Sequence, residues 1–451
     1  MLKLGAFVVD AKPPDAARAA AANAFVDTIG VTLAGASEPV SVAVQQTIAA
    51  DGGGPCRVIG TSLTASATNA ALANGTAAHA HDYDDMCFVS LAHPSAPLVA
   101  AAIAAGELAH ASGAALLDAY VVGFELEARF GRAMNPRHYQ RGWHCTSTLG
   151  TIGAAAAAAR LLGLTAAQTD HALAIAASEA CGLKENFGSM VKPLHAGLAA
   201  ANGILAAQLA RAGLTASPSA LDGPQGFLHA MDSAAEHVTD LIADLGRRWE
   251  IVDTGITVKL YPSCAATHPS LDAILDLRRQ ERFTADDVVS VHVAVDAITP
   301  TVLLYAEPSN ALEGKFSMPF CAAAAIVDGH VGLETFDDAK IRDARINEMR
   351  SRVTMTVDPT LDPTAPPLTQ ARVAIALRDG RTLTASANGA RGYAERPPSA
   401  DEQATKFVAC AARALDEDAA RAALQQLRAF DRIRDVTDVT AALGRVRVSK
   451  S

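Results

Sequence analysis

Long alanine-rich segments recur along this chain of 451 residues, and they restrict the fold more than any other feature of the sequence. Apolar residues in them return every three or four positions, as at Phe25, Ile29 and Leu33, which places them on one helix face. Alanine is the strongest helix former and lets neighbouring backbones approach closely. Because only 5% of the residues are aromatic, little bulk would hold such helices apart. The pattern therefore predicts a large domain of closely packed helices.

The same periodicity predicts a series of helices after this first one. They are Asn69–Ala80, Ala96–Ala111, Leu116–Met134, Thr148–Leu162, Ala166–Gly182, His195–Ala212 and Ala234–Leu245. Thr146 or Ser147 is the expected N-cap of the helix that follows His144. Gly113, Gly163 and Gly213 stand where helix C-terminal caps would fall.

The pattern changes after Thr254, where alternating and β-branched residues predict strands. The predicted strands are Val288–Asp296, Arg352–Val357, Ala371–Arg378 and Arg381–Ala387. The last two flank Asp379-Gly380, a strong hairpin signal. We therefore predict a mainly α protein with three segments. Residues 1–256 and 395–451 would form one helical domain, and residues 257–394 a smaller inserted α/β lid domain.

Charge, cysteine usage and hydropathy exclude several classes of protein. The net charge of −10 argues against a nucleic-acid binder, which would carry a basic patch. Seven scattered cysteines without a C-x-x-C motif are typical of a reducing compartment. The apolar run at the N-terminus is too short for a signal peptide, and no uncharged apolar stretch reaches the roughly 20 residues that span a bilayer. We expect a cytoplasmic protein that binds neither nucleic acid nor membranes.

Common cofactor and hydrolase motifs are missing from the sequence. It contains no G-x-G-x-x-G, G-x-x-x-x-G-K-[ST], G-x-S-x-G or H-E-x-x-H. Dinucleotide, nucleotide, serine-hydrolase and zincin functions therefore lose their usual support. We predict an enzyme that needs no organic cofactor and no metal.

Basic side chains stand at four predicted helix starts, namely His93, His144, Lys192 and His268. A helix N-terminus presents unpaired N–H groups and a partial positive charge, so it attracts anions. The same charge lowers the pKa of a nearby histidine and keeps its imidazole neutral. Each motif alone is more often a surface turn than a site. If the four starts converge in space, they would form a pocket for carboxylates.

A second dense cluster, His79-Ala80-His81-Asp82-Tyr83-Asp84-Asp85, precedes His93 in the sequence. Imidazoles and carboxylates at this density suit a divalent metal site. They equally suit a carboxylate that orients a catalytic histidine, or a polar loop whose aspartates cap backbone N–H groups.

A third cluster, Lys259-Leu260-Tyr261-Pro262-Ser263-Cys264, lies at the predicted domain junction. A lysine in an interdomain cleft is well placed to hold a ligand. Cys264 has no base paired with it in sequence, so inert packing is favoured over a nucleophilic role. Tyr305 and Lys315 would close over the same cleft from the inserted domain.

These segments together resemble the 2-methylcitrate dehydratase family (MmgE/PrpD), which also includes cis-aconitate decarboxylase and iminodisuccinate epimerase. The matching blocks are NGTAAHAHDYDD, HPSAPLVAAAIAAGE, GWHCTSTLGTIGAAAAAARLLGL, NFGSMVKPLHAGLAAANG, KLYPSCAATH, GKFSMPFCAAAAIVDG and EQATKFVA. They occur in the family's order and cover nearly the whole chain. The resemblance implies a homodimer and an all-helical domain with an α/β lid. It also implies a cleft between the two domains.

The resemblance also implies site residues, each assigned by its motif. They are Asp82 of D-[FY]-D-D, His93 of H-P, His144 before the alanine-rich helix, Lys192 and His195 of K-P-L-H, Lys259 and Cys264 of the K-x-[FY]-P block and, more loosely, Tyr305. Two positions depart from the pattern. Met86 stands where threonine or serine commonly follows D-D, and Cys264 stands where the decarboxylase branch has a histidine. The second departure disfavours decarboxylation.

The family's reactions all move a proton at a carbon next to a carboxylate, so developing negative charge must be stabilised. Lys192, Lys259 and the helix N-termini would do this on a di- or tricarboxylate. His93 or His144 would transfer the proton, with Asp82 fixing a ring tautomer. We rank a 2-methylcitrate-type dehydratase first, an iminodisuccinate-type epimerase second and a cis-aconitate-type decarboxylase third. The rivals of other classes are a metal-dependent hydrolase at His79–Asp85 and a non-catalytic carboxylate-binding protein.

Overall fold

The computed structural model describes residues 2–231, 241–361 and 369–444. The described helices are, in chain order, α1 Gly5–Asp10, α2 Asp15–Gly35, α3 Pro39–Ala49, α4 Ala67–His79, α5 Ser95–Ala109, α6 Gly113–Met134, α7 Arg137–Gln140, α8 Cys145–Leu161, α9 Ala166–Glu179, α10 Val191–Arg211, α11 Phe227–Ala230, α12 Glu250–Asp253, α13 His268–Glu281, α14 Ala311–Gly314, α15 Met318–Asp328, α16 Asp338–Ile341, α17 Ala344–Arg350, α18 Ala400–Ala411, α19 Glu417–Arg428 and α20 Thr437–Ala442. The strands are β1 Cys56–Arg57, β2 Thr64–Ala65, β3 Val288–Val295, β4 Val353–Val357, β5 Gln370–Leu377 and β6 Thr382–Asn388. The protein is therefore mainly α, as predicted.

The chain divides into two compact units. The first contains Met1–Ala80, Asp84–Thr257 and Ser399–Ser451. The second contains His81–Tyr83 and Val258–Pro398. The second unit thus interrupts the first twice along the sequence, once by only three residues. That the second unit acts as a lid stays a prediction.

Helices α4, α5, α8 and α10 pack on one another in the first unit. Alanines make the close packing possible, since the Ala154–Ala159 run of α8 is completely buried. Glycines allow close contact between α4 and α10. A Cβ atom added at Gly197 would come 2.3 Å from the carbonyl oxygen of Leu72, and one added at Gly75 would come 2.9 Å from the Cα atom of Gly197. These two helices therefore need glycine at their contact.

Most predicted helices are confirmed, with small differences at their ends. Gly163 and Gly213 follow α8 and α10 with positive φ angles of 68° and 100°, as expected for C-terminal caps. The prediction for Gly113 is wrong, because this glycine is the first residue of α6, and the C-cap of α5 is His110, in the left-handed conformation.

The expected N-cap of α8 is also wrong. This helix begins at Cys145, and His144 occupies the N-cap position in extended backbone. Thr146 and Ser147 therefore lie inside the first turn. The predicted helix Ala234–Leu245 falls largely outside the described residues.

The second unit contains a four-stranded sheet with the order β4-β3-β5-β6. Strands β3 and β4 are parallel, and the pairs β3–β5 and β5–β6 are antiparallel. The predicted hairpin is confirmed, because β5 and β6 pair directly and Gly380 has a φ of 88°. Helix α13 packs on β5 and β6, and α15 packs on α13 and β4.

Within the described ranges, no single helix has both the length and the apolar composition to cross a bilayer. One bent pair, α2 with α3, meets these criteria only when its two helices are combined.

Candidate active site

The contact between α4 and α10 brings Lys192 onto His79. His79 is the last residue of α4, and Lys192 is the second residue of α10. Gly75 lies against Gly197, and four residues later along α4 His79 meets Lys192, five residues earlier along α10, so the two helices run in opposite directions. Lys192 Nζ lies 2.9 Å from His79 Nε2, and both side chains are buried. The ammonium donates this hydrogen bond, so His79 Nε2 acts as the acceptor.

Asp84 holds the opposite edge of the His79 ring. Its carboxylate oxygens lie 2.8 and 2.9 Å from His79 Nδ1, and neither side chain is exposed to solvent. Burial lowers the pKa of His79, Asp84 raises it and the Lys192 charge lowers it, and together these effects bring the pKa to about 3. The ring is therefore neutral, donating from Nδ1 to Asp84 and accepting from Lys192 at Nε2.

His93 lies on the same carboxylate. Its Nδ1 is 3.4 Å from Asp84 Oδ2, and its ring centroid is 4.5 Å from that of His79. Burial acts to raise the pKa of Asp84, but the adjacent rings of His79 and His93 outweigh it and hold this pKa well below its usual range. The backbone N–H of His93 donates to Thr146 Oγ1 at 3.0 Å, which ties the start of α5 to α8.

His144 completes the group from the N-cap of α8. Its backbone N–H donates to the carbonyl of Gly182 at 3.0 Å, and its ring centroid is 5.8 Å from that of His79. Its Nδ1 lies 3.0 Å from Nδ1 of His195, which is in the second turn of α10. Burial and the Lys192 charge lower the pKa of His144 well below its usual range and that of His195 to about 4.

Phe187 forms an apolar wall beside these groups. Its ring meets His144 edge to face at a centroid distance of 4.9 Å, and Lys192 Nζ lies 5.4 Å from its centroid. An apolar wall strengthens the interaction between a buried ammonium and an anion, because it excludes water.

The arrangement suits proton transfer next to a negative charge. The ammonium of Lys192 and the N-termini of α5, α8 and α10 attract an anion. Buried neutral imidazoles can accept a proton, and Asp84 fixes the orientation of one of them.

Four predicted site residues, His93, His144, Lys192 and His195, therefore come together in the first unit. His79 and Asp84 also belong to this group, although the sequence analysis did not include them among the site residues. Their only signal was the density of polar residues in HAHDYDD.

The second unit holds the other predicted site residues. Lys259 Nζ lies 3.0 Å from Asp82 Oδ1 and donates to the Asp82 carbonyl at 2.8 Å. Lys315 Nζ donates to the carbonyl of His81 at 2.7 Å. Two buried lysines thus hold the short His81–Tyr83 segment. Asp82 itself has a left-handed φ of 52°, which aspartate tolerates better than most residues.

Asp84, two residues beyond Asp82, is a carboxylate on the rings of His79 and His93 that the sequence analysis did not single out. That Asp82 orients a catalytic ring stays a prediction. The backbone N–H groups of Cys264 and Tyr305 donate to the carbonyls of Lys315 and Phe316 at 3.0 and 3.4 Å. That Lys259, Cys264 and Tyr305 bind the substrate stays a prediction.

His268, the fourth basic helix start, packs within the second unit. Its Nε2 lies 3.1 Å from the carbonyl of Ser263, and its ring meets Tyr261 edge to face. Hydrogen bonding and ring packing account for this histidine.

A metal site is the remaining possibility for the polar cluster. One donor atom from each of His79, Asp84 and His93 lies within 4.8 Å of the others, a spacing that could accept an ion. Both ring nitrogens of His79 are already engaged, however, by Asp84 and by Lys192. A divalent ion at His79 Nε2 would have to displace a buried ammonium. The donor set therefore fits a metal poorly.

Two models of one protein family match most of this chain. Residues 3–239 match the MmgE/PrpD N-terminal domain, and residues 261–432 match the MmgE/PrpD C-terminal domain. A cis-aconitate decarboxylase of Homo sapiens is 29% identical over 384 residues, covering 83% of this chain and 79% of that protein. One of Mus musculus is 28% identical over 388 residues, covering 83% and 78%. One of Aspergillus terreus is 27% identical over 443 residues, covering 93% and 90%.

Proposed function

Because the chain belongs to the MmgE/PrpD family, we propose that it is a lyase that transfers a proton at a carbon next to a carboxylate of a small polycarboxylate. One observation carries the proposal. A buried ammonium, Lys192, lies in a group with four imidazoles, three of which, those of His79, His144 and His195, are neutral. Such a group binds a carboxylate and accepts a proton at the same place.

Dehydration of a 2-methylcitrate-like hydroxy polycarboxylate is the first candidate reaction. The imidazole of His93 or His144 removes the proton from the carbon beside the carboxylate, and the C–H electron pair becomes the new C=C bond. The β-hydroxyl leaves as water after it takes a proton from a protonated histidine. Lys192 stabilises the enolate-like charge that develops on the carboxylate. Two histidines and one ammonium supply every group that these steps need.

Decarboxylation of a cis-aconitate-like substrate is the second candidate, and the names of the three relatives support it. The bond from carbon to one carboxylate breaks, carbon dioxide leaves, and the electron pair left on carbon takes a proton from a histidine. The same ammonium would stabilise the intermediate carbanion. The two reactions differ in which bond to carbon breaks first.

Incubation with a panel of polycarboxylates tests the proposal and separates the reactions. The panel is 2-methylcitrate, citrate, cis-aconitate and an iminodisuccinate generated in place. We expect turnover of at least one member, with water loss identifying a dehydratase and carbon dioxide release a decarboxylase. Inversion without net loss would identify an epimerase and correct the proposal, as would a failure to turn over any member.

Two controls address the rivals from other classes. Activity that persists in excess chelator is expected, since the site residues account for the chemistry without an ion. Loss of activity that returns with a divalent metal would favour the hydrolase. The His144→Asn variant should bind a polycarboxylate without turning it over. A wild-type protein that only binds would favour a carboxylate-binding protein.

A further inference from the structure

Two buried histidines of the first unit face each other through the same type of ring nitrogen. Nδ1 of His144 lies 3.0 Å from Nδ1 of His195, and the two residues are only 1% and 4% exposed. The contact joins the N-cap of α8 to the second turn of α10. Neither ring in this contact takes part in the hydrogen bond between Lys192 and His79.

A hydrogen bond between two Nδ1 atoms needs one proton, neither more nor fewer. Two bare nitrogens would repel through their lone pairs, and two N–H groups would repel through their protons. Both rings are neutral, because burial and the Lys192 charge oppose protonation. Each neutral ring carries one N–H. The two rings must therefore hold opposite tautomers, and fixing one fixes the other.

The surroundings of His144 decide which ring donates. Within the part of the chain that the structure describes, no atom makes a hydrogen bond with the buried Nε2 of His144. If His144 accepted at Nδ1, this Nε2 would carry a buried N–H without an acceptor, which is rare in proteins. If His144 donates at Nδ1, Nε2 is a lone pair, and the nearby Lys192 charge favours that state.

We propose that His195 is a positioning residue that selects the tautomer of His144. Its Nδ1 accepts the Nδ1 proton of His144, so the bare Nε2 of His144 is the base for the substrate. The substrate C–H bond breaks, its proton forms the new N–H at His144 Nε2, and its electron pair stays on the substrate. The positive charge that His144 gains is stabilised because His195 Nδ1 accepts from it. This assignment of roles rests on the proposed function, whereas the tautomer itself does not.

Imidazole ¹⁵N NMR of the wild-type protein labelled at histidine tests the tautomer directly. The His144→Asn and His195→Asn variants assign the signals by their loss. We expect a protonated Nδ1 and a bare Nε2 on His144, and the reverse on His195. A bare Nδ1 on His144, or a charged ring in either residue, would overturn the inference even if the protein is the proposed lyase.

Two substitutions of His195 test its role in turnover. Asparagine places an oxygen acceptor near the position of Nδ1, whereas leucine fills similar space without an acceptor. We expect His195→Asn to keep kcat within about 10-fold of wild type and His195→Leu to lower it about 100-fold or more, with KM little changed in both. A purely structural role predicts equal losses in the two variants and refutes the proposal. His229→Asn, at an exposed histidine of α11, is the matched control.

If the NMR result is as expected but no panel substrate is turned over, the proposed function fails and the tautomer assignment stands. If a substrate is turned over and the NMR tautomers are reversed, the assignment fails alone.

Discussion

Replacing Lys192 by methionine should separate catalysis from stability. Lys192 is a buried charged donor 2.9 Å from His79 Nε2, and methionine has a similar length and volume without the charge. Removing one preorganised donor from a site of developing negative charge costs about 10²–10³-fold in rate, or about 2.7–4 kcal/mol. Because the ammonium also binds the substrate carboxylate, we expect kcat/KM to fall about 10³-fold.

The same change should leave the fold nearly as stable as before. His79 Nε2 loses its donor, at about 1–3 kcal/mol. The variant also lacks the buried ammonium, whose desolvation opposes folding of the wild-type protein by several kcal/mol. Since these effects oppose each other, we expect a Tm within about 5 °C of wild type.

Initial rates across substrate concentrations and a thermal unfolding scan measure the two effects on the same samples. Lys12→Met, at an exposed lysine, is the control. A variant that keeps wild-type kcat/KM would refute the placement of Lys192 in the site. A variant that loses activity together with a large fall in Tm would show that Lys192 acts on the fold instead.

Two further substitutions test the electrostatics through stability. Asp84 has a folded pKa below its unfolded value, so its contribution is present above about pH 4 and is lost as the pH falls through the folded pKa. Asp84→Asn should therefore lower Tm at neutral pH, by the equivalent of about 1.5–3 kcal/mol, because a hydrogen bond to a buried charge is weakened. The deficit should shrink toward pH 3, and an unchanged Tm at neutral pH would contradict this. Neither carboxyl oxygen of Glu127 has a hydrogen-bond partner in the described ranges, and burial raises its pKa well above the ordinary value. Wild-type stability due to the protonated Glu127 is fully present below the unfolded pKa and is lost as the pH rises through the folded pKa. Methionine does not titrate, so Glu127→Met should raise Tm by a larger amount at about pH 8 than at pH 5. Equal gains at both values would show that Glu127 is not held protonated by the fold.

The helical architecture could be predicted because it depends on local signals. Alanine-rich periodic segments and glycines after helix ends are visible in sequence, as at Gly163 and Gly213. The Asp379-Gly380 hairpin is of the same kind. The prediction for Gly113 was wrong because His110 takes the left-handed conformation that a C-terminal glycine would otherwise supply. The N-cap of α8 was predicted wrongly because His144, whose side chain makes no capping hydrogen bond, occupies that position.

The site could be predicted in part, because motif matching located His93, His144 and Lys192. The motif could not tell that Asp84 of HAHDYDD lies against the imidazole of His79. That placement depends on backbone conformation. Asp82 turns through a left-handed φ, and its side chain pairs with Lys259, whereas Asp84 lies against His79. The pairing of His144 with His195 is equally invisible in sequence, since 51 residues separate the two rings along the chain.

Turnover in D₂O tests most directly whether the Lys192–histidine cluster moves a proton at a carbon next to a carboxylate. The wild-type protein is incubated with the polycarboxylate panel, and substrate and product are analysed by NMR and mass spectrometry. We predict one solvent deuterium in a decarboxylated product, at the carbon that takes up the proton, and none in a dehydrated product. For dehydration we predict instead that a substrate deuterated at the carbon beside the carboxylate loses water more slowly than the unlabelled substrate, and that His144→Asn gives no product above background. Equal competitive rates of dehydration for the deuterated and unlabelled substrates, a decarboxylated product without solvent deuterium, or unchanged turnover by His144→Asn would contradict the account.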